Sequence, residues 1–296
     1  MDIYDYRAGK ERKFSKLVQS ERKNGQSEKI SFRTSVGYID SYIYRPKNHQ
    51  NKVLPVFINL HGGGFVLGYC EQDGKYCQML ADMADCAVVN IDYCLAPENK
   101  FPAAIESTYE VIKHLDSNGE KYGLNSKKMI VGGHSAGGNI SAALVLMANK
   151  KNESLFIGLI LDYALLDFVK EERVTIDPTK AMSTDRMKQY KDWYLNNKDD
   201  AFNELASPLL AKDVSGFPPT LMISASYDPF CQEEEEFNNK LKIAQVPTEY
   251  YCFDGCMHGF THEIFEEYNE EMSNKAWDIM GNFLKNRFND RDGHIH

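Results

Sequence analysis

Apolar and polar positions along the chain alternate between two rhythms. Leu54-Pro55-Val56-Phe57-Ile58-Asn59-Leu60 is an almost unbroken apolar run. So are Cys86–Asp92, Lys128–Val131, Leu155–Leu161 and the stretch 219–226, with a mixed aromatic run at 248–253. Such short runs predict strands buried on both faces. Between them, Ala103–Leu115, Asn139–Ala148, 232–245 and 273–288 space their apolar residues as helices do. Lys29–Thr34 and Tyr38–Tyr44 alternate around Val36-Gly37 and stop before Pro46, as an antiparallel pair would. Residues 7–29 read as an amphipathic, mostly solvated helix that ends near Asn24-Gly25. Apolar strands separated by helices predict an α/β fold with a mostly parallel central sheet flanked by helices. Residues 166–207 break the rhythm. They are charged, carry Trp193 and several tyrosines, and predict a small helical unit or a lid.

Composition narrows the classes. The 296 residues suffice for one large α/β domain, and 43% hydrophobic content is ordinary for a globular protein. No apolar run is long enough to span a membrane, and the N-terminus carries no apolar signal core. The net charge of −9 disfavours nucleic acid and anionic membranes as partners. Seven scattered cysteines predict free thiols and a cytoplasmic setting. Cys252-x3-Cys256 lacks a second pair for a zinc site. Glu233 to Glu236 reads as the solvated first turn of a helix.

The chemistry centres on Gly133-His134-Ser135-Ala136-Gly137-Gly138, which stands between an apolar run and a helical segment. G-x-S-x-G in a strand–turn–helix context is the signature of a nucleophile elbow. A serine needs a base, a group that orients the base, and donors for the oxyanion. His258, in the loop after the last strand, is the candidate base. His134 points away across the elbow turn, and His61 is expected to brace a glycine loop. His262 stands four residues after His258 but lacks the glutamate of a zinc helix. Asp228 follows the apolar strand Thr220–Ser226 and is the candidate orienting acid, with Asp254 as competitor in a turn. His61-Gly62-Gly63-Gly64-Phe65 follows a strand, where glycines let backbone N–H groups approach a ligand.

With Asp92-Tyr93-Cys94-Leu95-Ala96-Pro97-Glu98, Ala225–Phe230 and His258-Gly259-Phe260, these blocks resemble the hormone-sensitive-lipase-like branch of the α/β hydrolases, and within it the bacterial acetyl esterases. The resemblance covers about residues 54–262. It implies an α/β-hydrolase fold, a Ser135–His258–Asp228 triad and oxyanion donors from Gly63, Gly64 and Ala136. It also implies a helical cap built from roughly 1–28 and 166–207 on a single domain spanning 1–296. The expected activity is short-acyl carboxylic ester hydrolysis on a small-molecule ester, without metal or cofactor. An amidase or deacetylase with the same triad and a non-catalytic receptor on the same scaffold are the alternatives. Family members are often dimers, but no feature of this sequence fixes a homodimer. His134 departs from the aspartate that many members carry there.

Overall fold

The computed structural model describes residues 2–10, 27–48, 53–68 and 70–290. Most of the helix expected over 7–29 lies outside them, but 3–10 are helical (α1), so the helix starts earlier than the charge pattern suggested. The sheet has eight strands: β1 (Glu28–Thr34), β2 (Gly37–Tyr44), β3 (Leu54–Leu60), β4 (Ala87–Asp92), β5 (Leu124–His134), β6 (Gly158–Asp162), β7 (Thr220–Ala225) and β8 (Thr248–Phe253). Their spatial order is β1-β2-β4-β3-β5-β6-β7-β8. β2 pairs antiparallel with β1 and β4, and every pairing from β4 across to β8 is parallel. This is the α/β-hydrolase fold, with an antiparallel edge on a parallel sheet.

The central strands are apolar throughout because helices cover both faces. The helices are α2 (Gly74–Ala84), α3 (Ala103–Asn118), α4 (Ala136–Lys150), α5 (Thr184–Tyr194), α6 (Cys231–Ile243) and α7 (Glu270–Asn289). Phe57, Val88, Ile130, Ile160 and Ile223 point to one face, where they form a core with residues of α2 and α7. Val56, Val89, Val131, Leu161 and Met222 alternate with them in sequence and pack on the other face with α3, α4 and α6. The period of two along each strand assigns every second side chain to a different core. β3, β5, β7 and β8 all deliver their C-terminal ends to one edge of the sheet, where ligands of open parallel sheets gather.

Candidate active site

β5 ends at His134 and α4 begins at Ala136, so the whole turn rests on Ser135. Its backbone sits at φ 53°, ψ −113°, a strained region for a residue with a Cβ. Two backbone bonds hold it there: Ser135 N donates to Asp162 O at 2.9 Å, and Asn139 N donates to Ser135 O at 3.1 Å. The turn is tight because α4 passes directly over β3. A Cβ on Gly137 would stand 2.0 Å from the Leu60 carbonyl oxygen, so the position requires glycine.

Two remote side chains meet this serine. His258, in the loop after β8, brings Nε2 to 2.9 Å from Ser135 Oγ. Its Nδ1 lies 2.6 Å from Asp228 Oδ2, and Asp228 follows β7. The other carboxylate oxygen of Asp228 accepts Phe230 N–H at 2.9 Å, which sets the plane of the carboxylate. Phe230 and Tyr163 stand edge-on to the imidazole at 5.2 and 4.9 Å and keep it from rotating. Burial alone would lower the His258 imidazole, but the charge and hydrogen bond of Asp228 outweigh it and hold the ring above its ordinary 6.5. Asp254, the sequence competitor, instead accepts the Ser226 hydroxyl at 3.2 Å on the surface.

The glycine loop lies on the opposite side of Ser135. Gly63 and Gly64 both have positive φ, 127° and 59°. At Gly64 a Cβ would stand 2.5 Å from the Tyr190 ring of α5, so glycine is demanded by both backbone and space. The N–H groups of Gly63 and Gly64 donate to no acceptor among the described residues. Ala136 N–H opens α4, where the first amides have no intrahelical acceptor. His61 carries the loop: its ring stacks on Tyr93 at 4.2 Å, its Nδ1 lies 2.7 Å from Gly62 O, and its Nε2 lies 3.5 Å from Asp92. Tyr93 donates to His61 O at 2.8 Å. Glu98 takes an ion pair from Arg7 of α1 at 2.6 Å. The Asp92–Glu98 block is therefore scaffolding for the loop.

A cavity of about 670 Å³ opens from Ser135 toward α5. Buried Leu165, Phe168 and Phe230 line its interior, whereas Glu171, Glu172 and Lys188 at its mouth are exposed. Tyr6 of α1 packs on Trp193 of α5 at 5.3 Å and hydrogen-bonds Tyr190, a residue of the cavity lining.

Beneath the elbow lies a buried polar network that sequence reasoning did not find. His134 turns away from Ser135 and places Nδ1 2.8 Å from Asp162 Oδ2. Its Nε2 faces Asp73 Oδ2 at 3.9 Å. His262 places Nε2 3.3 Å from Asp73 Oδ1 and Nδ1 2.8 Å from the Tyr163 hydroxyl. Asp73 Oδ2 also accepts Asn59 Nδ2–H at 2.8 Å. Burial pushes the Asp73 carboxyl up, but the hydrogen bond from His262 and the charges of His134, His262 and His61 bring it down to about 2. Desolvation opposes charge on both rings. Asp162 and Asp73 overcome it for His134, which is raised, whereas His262 is lowered by burial and by its charged neighbour. Asp73, His134 and His262 hold their ligand atoms within 4.8 Å of one another. His258 faces Asp228, whereas His262 faces Asp73. The only sequence signal for this network was His134, where an aspartate is frequent.

A second departure concerns the acidic run. Glu233 and Glu234 are 1% and 0% exposed rather than solvated. Glu234 accepts Ala164 N–H and the Ser224 hydroxyl at 2.9 and 2.7 Å. Glu233 accepts Leu166 N–H at 2.7 Å and pairs with Arg173 at 3.1 Å. Burial pushes Glu233 up to about 7, against the nearby Arg173. The two carboxylates cap the irregular segment after β6 instead of facing water, because that segment leaves its backbone amides without strand partners. Thr184–Tyr194 is helical, as the charged 166–207 stretch allowed.

The fold and this edge of the sheet define an α/β hydrolase. The profile described as alpha/beta hydrolase fold matches residues 57–262, and the chain belongs to that family. Its branch is the hormone-sensitive-lipase-like one. The chain is 30% identical to an acetyl esterase of Salmonella schwarzengrund, over 77% of this chain and 71% of that protein. It is likewise 30% identical to an arylesterase of Saccharolobus solfataricus, over 74% of this chain and 71% of that one. An esterase from Pyrobaculum calidifontis superposes with a TM-score of 0.86 at 33% identity, covering 97% of this chain and 93% of the other. No helix among the described residues is long and apolar enough to cross a membrane.

Proposed function

We propose that this protein hydrolyses short-acyl carboxylic esters through Ser135, His258 and Asp228. It is a carboxylesterase, in line with the esterase names its relatives carry. One observation carries the finer reading: the hydrogen-bonded relay from Ser135 Oγ to His258 at 2.9 Å and on to Asp228 at 2.6 Å. In the reaction Ser135 Oγ attacks the ester carbonyl while His258 Nε2 takes its proton. Asp228 keeps the other ring proton on Nδ1 and stabilises the imidazolium. The carbonyl oxygen becomes an oxyanion, met by the N–H groups of Gly63, Gly64 and Ala136. His258 returns the proton to the leaving alcohol, then activates the water that releases the acid. The cavity supports small substrates: an extended acyl chain leaving the apolar interior would run past exposed Glu171, Glu172 and Lys188. α1 and α5 act as the cap, within one domain.

Turnover of p-nitrophenyl acetate, butyrate and palmitate tests this. Acetate or butyrate is expected to exceed palmitate by at least about tenfold in kcat/KM, equivalent to about 1.4 kcal/mol of transition-state stabilisation. Faster palmitate hydrolysis would refute the short-acyl reading, and no turnover of any ester would refute the function.

The pH profile follows from the imidazole. A protonated His258 cannot accept the serine proton, so activity is present above its folded pKa and lost as pH falls through it. Because Asp228 raises that pKa, the acid limb of kcat/KM is expected to fall to half above pH 6.5. A midpoint below 6.5 would contradict the assigned charge balance.

A further inference from the structure

Two thiols next to this site have no part in the ester chemistry. Cys231 is the first residue of α6, and its N–H reaches back to Asp228 O at 3.1 Å. Cys252 lies in β8, opposite Ser224 of β7. Ser224 and Met222 share the sheet face that α6 covers, so the Cys231 side chain descends onto that face and meets Ser224, Tyr250 and Cys252. The two sulfurs stand 3.7 Å apart, at van der Waals contact. Cys252 is exposed and Cys231 half-buried, so small solutes reach the pair. Cys256, four positions after Cys252 in sequence, is buried in the opposite core.

The contact is chemically asymmetric. The Cys252 S–H hydrogen bond lowers the Cys231 thiol most; burial opposes, and bonds from Ser224 and Tyr250 add to the lowering. The start of a helix acts in the same direction. Either sulfur can donate across the contact, and the Cys252 thiol is raised by it. Burial pushes Cys86 and Cys94 up, and takes Cys256 to about 11. A thiolate is the reactive form of cysteine, and among these thiols only Cys231 is favoured to carry it.

We propose that Cys231 and Cys252 are a hydroperoxide-reactive dithiol that closes to a reversible disulfide between α6 and β8. The Cys231 thiolate attacks the terminal oxygen of a hydroperoxide. The S–O bond forms as the O–O bond breaks, and the departing oxygen leaves as water or alcohol after taking a proton. Cys252 then attacks the sulfenic sulfur. The S–S bond forms, the S–O bond breaks, and the hydroxide leaves as water with the Cys252 proton. Two thiols lose two electrons and the peroxide gains them. The crosslink joins the turn that holds Asp228 to the strand that leads into His258. It closes a loop between residues 21 positions apart, which restricts the unfolded chain and raises the melting temperature.

The test treats the full chain with a small excess of hydrogen peroxide, alkylates remaining thiols, and reads intact mass, peptide maps and Tm. The wild type is expected to lose two hydrogens, to yield a Cys231–Cys252 linked peptide, and to gain about 5 °C in Tm. Dithiothreitol should reverse all three. Cys252→Ser is expected to stop at the sulfenic acid of Cys231 or to oxidise further without a link. Cys231→Ser should leave Cys252 unreactive, and Cys256→Ser should crosslink normally. An intermolecular link, no link in the wild type, or equally fast oxidation of Cys252 in Cys231→Ser would overturn the proposal. Mass is the readout, so the outcome is independent of the esterase reading.

Discussion

Ser135→Ala is expected to lower kcat for p-nitrophenyl acetate by about a million-fold and to abolish labelling by a fluorophosphonate probe. The size of the loss follows from the construction of the elbow. His258 Nε2 faces Ser135 Oγ at 2.9 Å, and alanine leaves the base without that hydroxyl to deprotonate. The fold should survive, because the bonds that hold the turn run through backbone atoms: Ser135 N to Asp162 O and Asn139 N to Ser135 O. His258→Ala is expected to cost about as much, and the double variant hardly more, since the two residues act as one unit. A residual activity over water should persist in all three from the amides of Gly63, Gly64 and Ala136. Normal probe labelling of Ser135→Ala would show that another nucleophile does the chemistry.

The parts of the fold that read clearly from the sequence are those where one physical pressure acts alone. Leu54–Leu60 is apolar because it is covered on both faces, and the strand has the bounds the run suggested. β6 is shorter than its apolar run: its register with β5 starts at Gly158, although Ile157 N already donates to Met129 O at 2.8 Å. α2 gave no helical signal. It opens on Gly74-Lys75, and the aspartate before it turns its side chain toward Asn59 and His262 rather than capping the helix. Local patterns likewise misread Glu233 and Glu234, because the amides they satisfy, Leu166 and Ala164, lie some seventy positions away. The candidate site was legible for the opposite reason. Its glycines, serine, aspartate and histidine follow the ends of β3, β5, β7 and β8, where local sequence and chemistry favour the same residue. What Asp73, His134 and His262 do together was not legible, because three separate elements bring them to one buried point.

Asp228→Asn is expected to lower kcat by about ten-thousand-fold, less than removal of the serine. The isosteric change keeps shape and volume, so the loss must come from the proton. Asp228 Oδ1 already accepts the Phe230 N–H at 2.9 Å. An asparagine must keep its amide oxygen on that donor, which turns its NH2 toward His258 Nδ1. The imidazole then accepts at Nδ1 and carries its proton on Nε2, aimed at Ser135 Oγ, where a base needs a lone pair. The charge is lost as well, so the largest attraction that raises His258 vanishes, while its burial and the weaker pulls of Asp162 and Glu267 remain. The acid limb of the residual activity should therefore move to lower pH than in the wild type. A merely destabilised protein would lose activity without that movement. Asp254→Asn is the control: its partner is the Ser226 hydroxyl, and both rate and pH profile should stay near wild type. If Asp254→Asn collapses the rate while Asp228→Asn keeps it, the orienting acid is Asp254, and the relay drawn from Ser135 through His258 ends at the wrong residue.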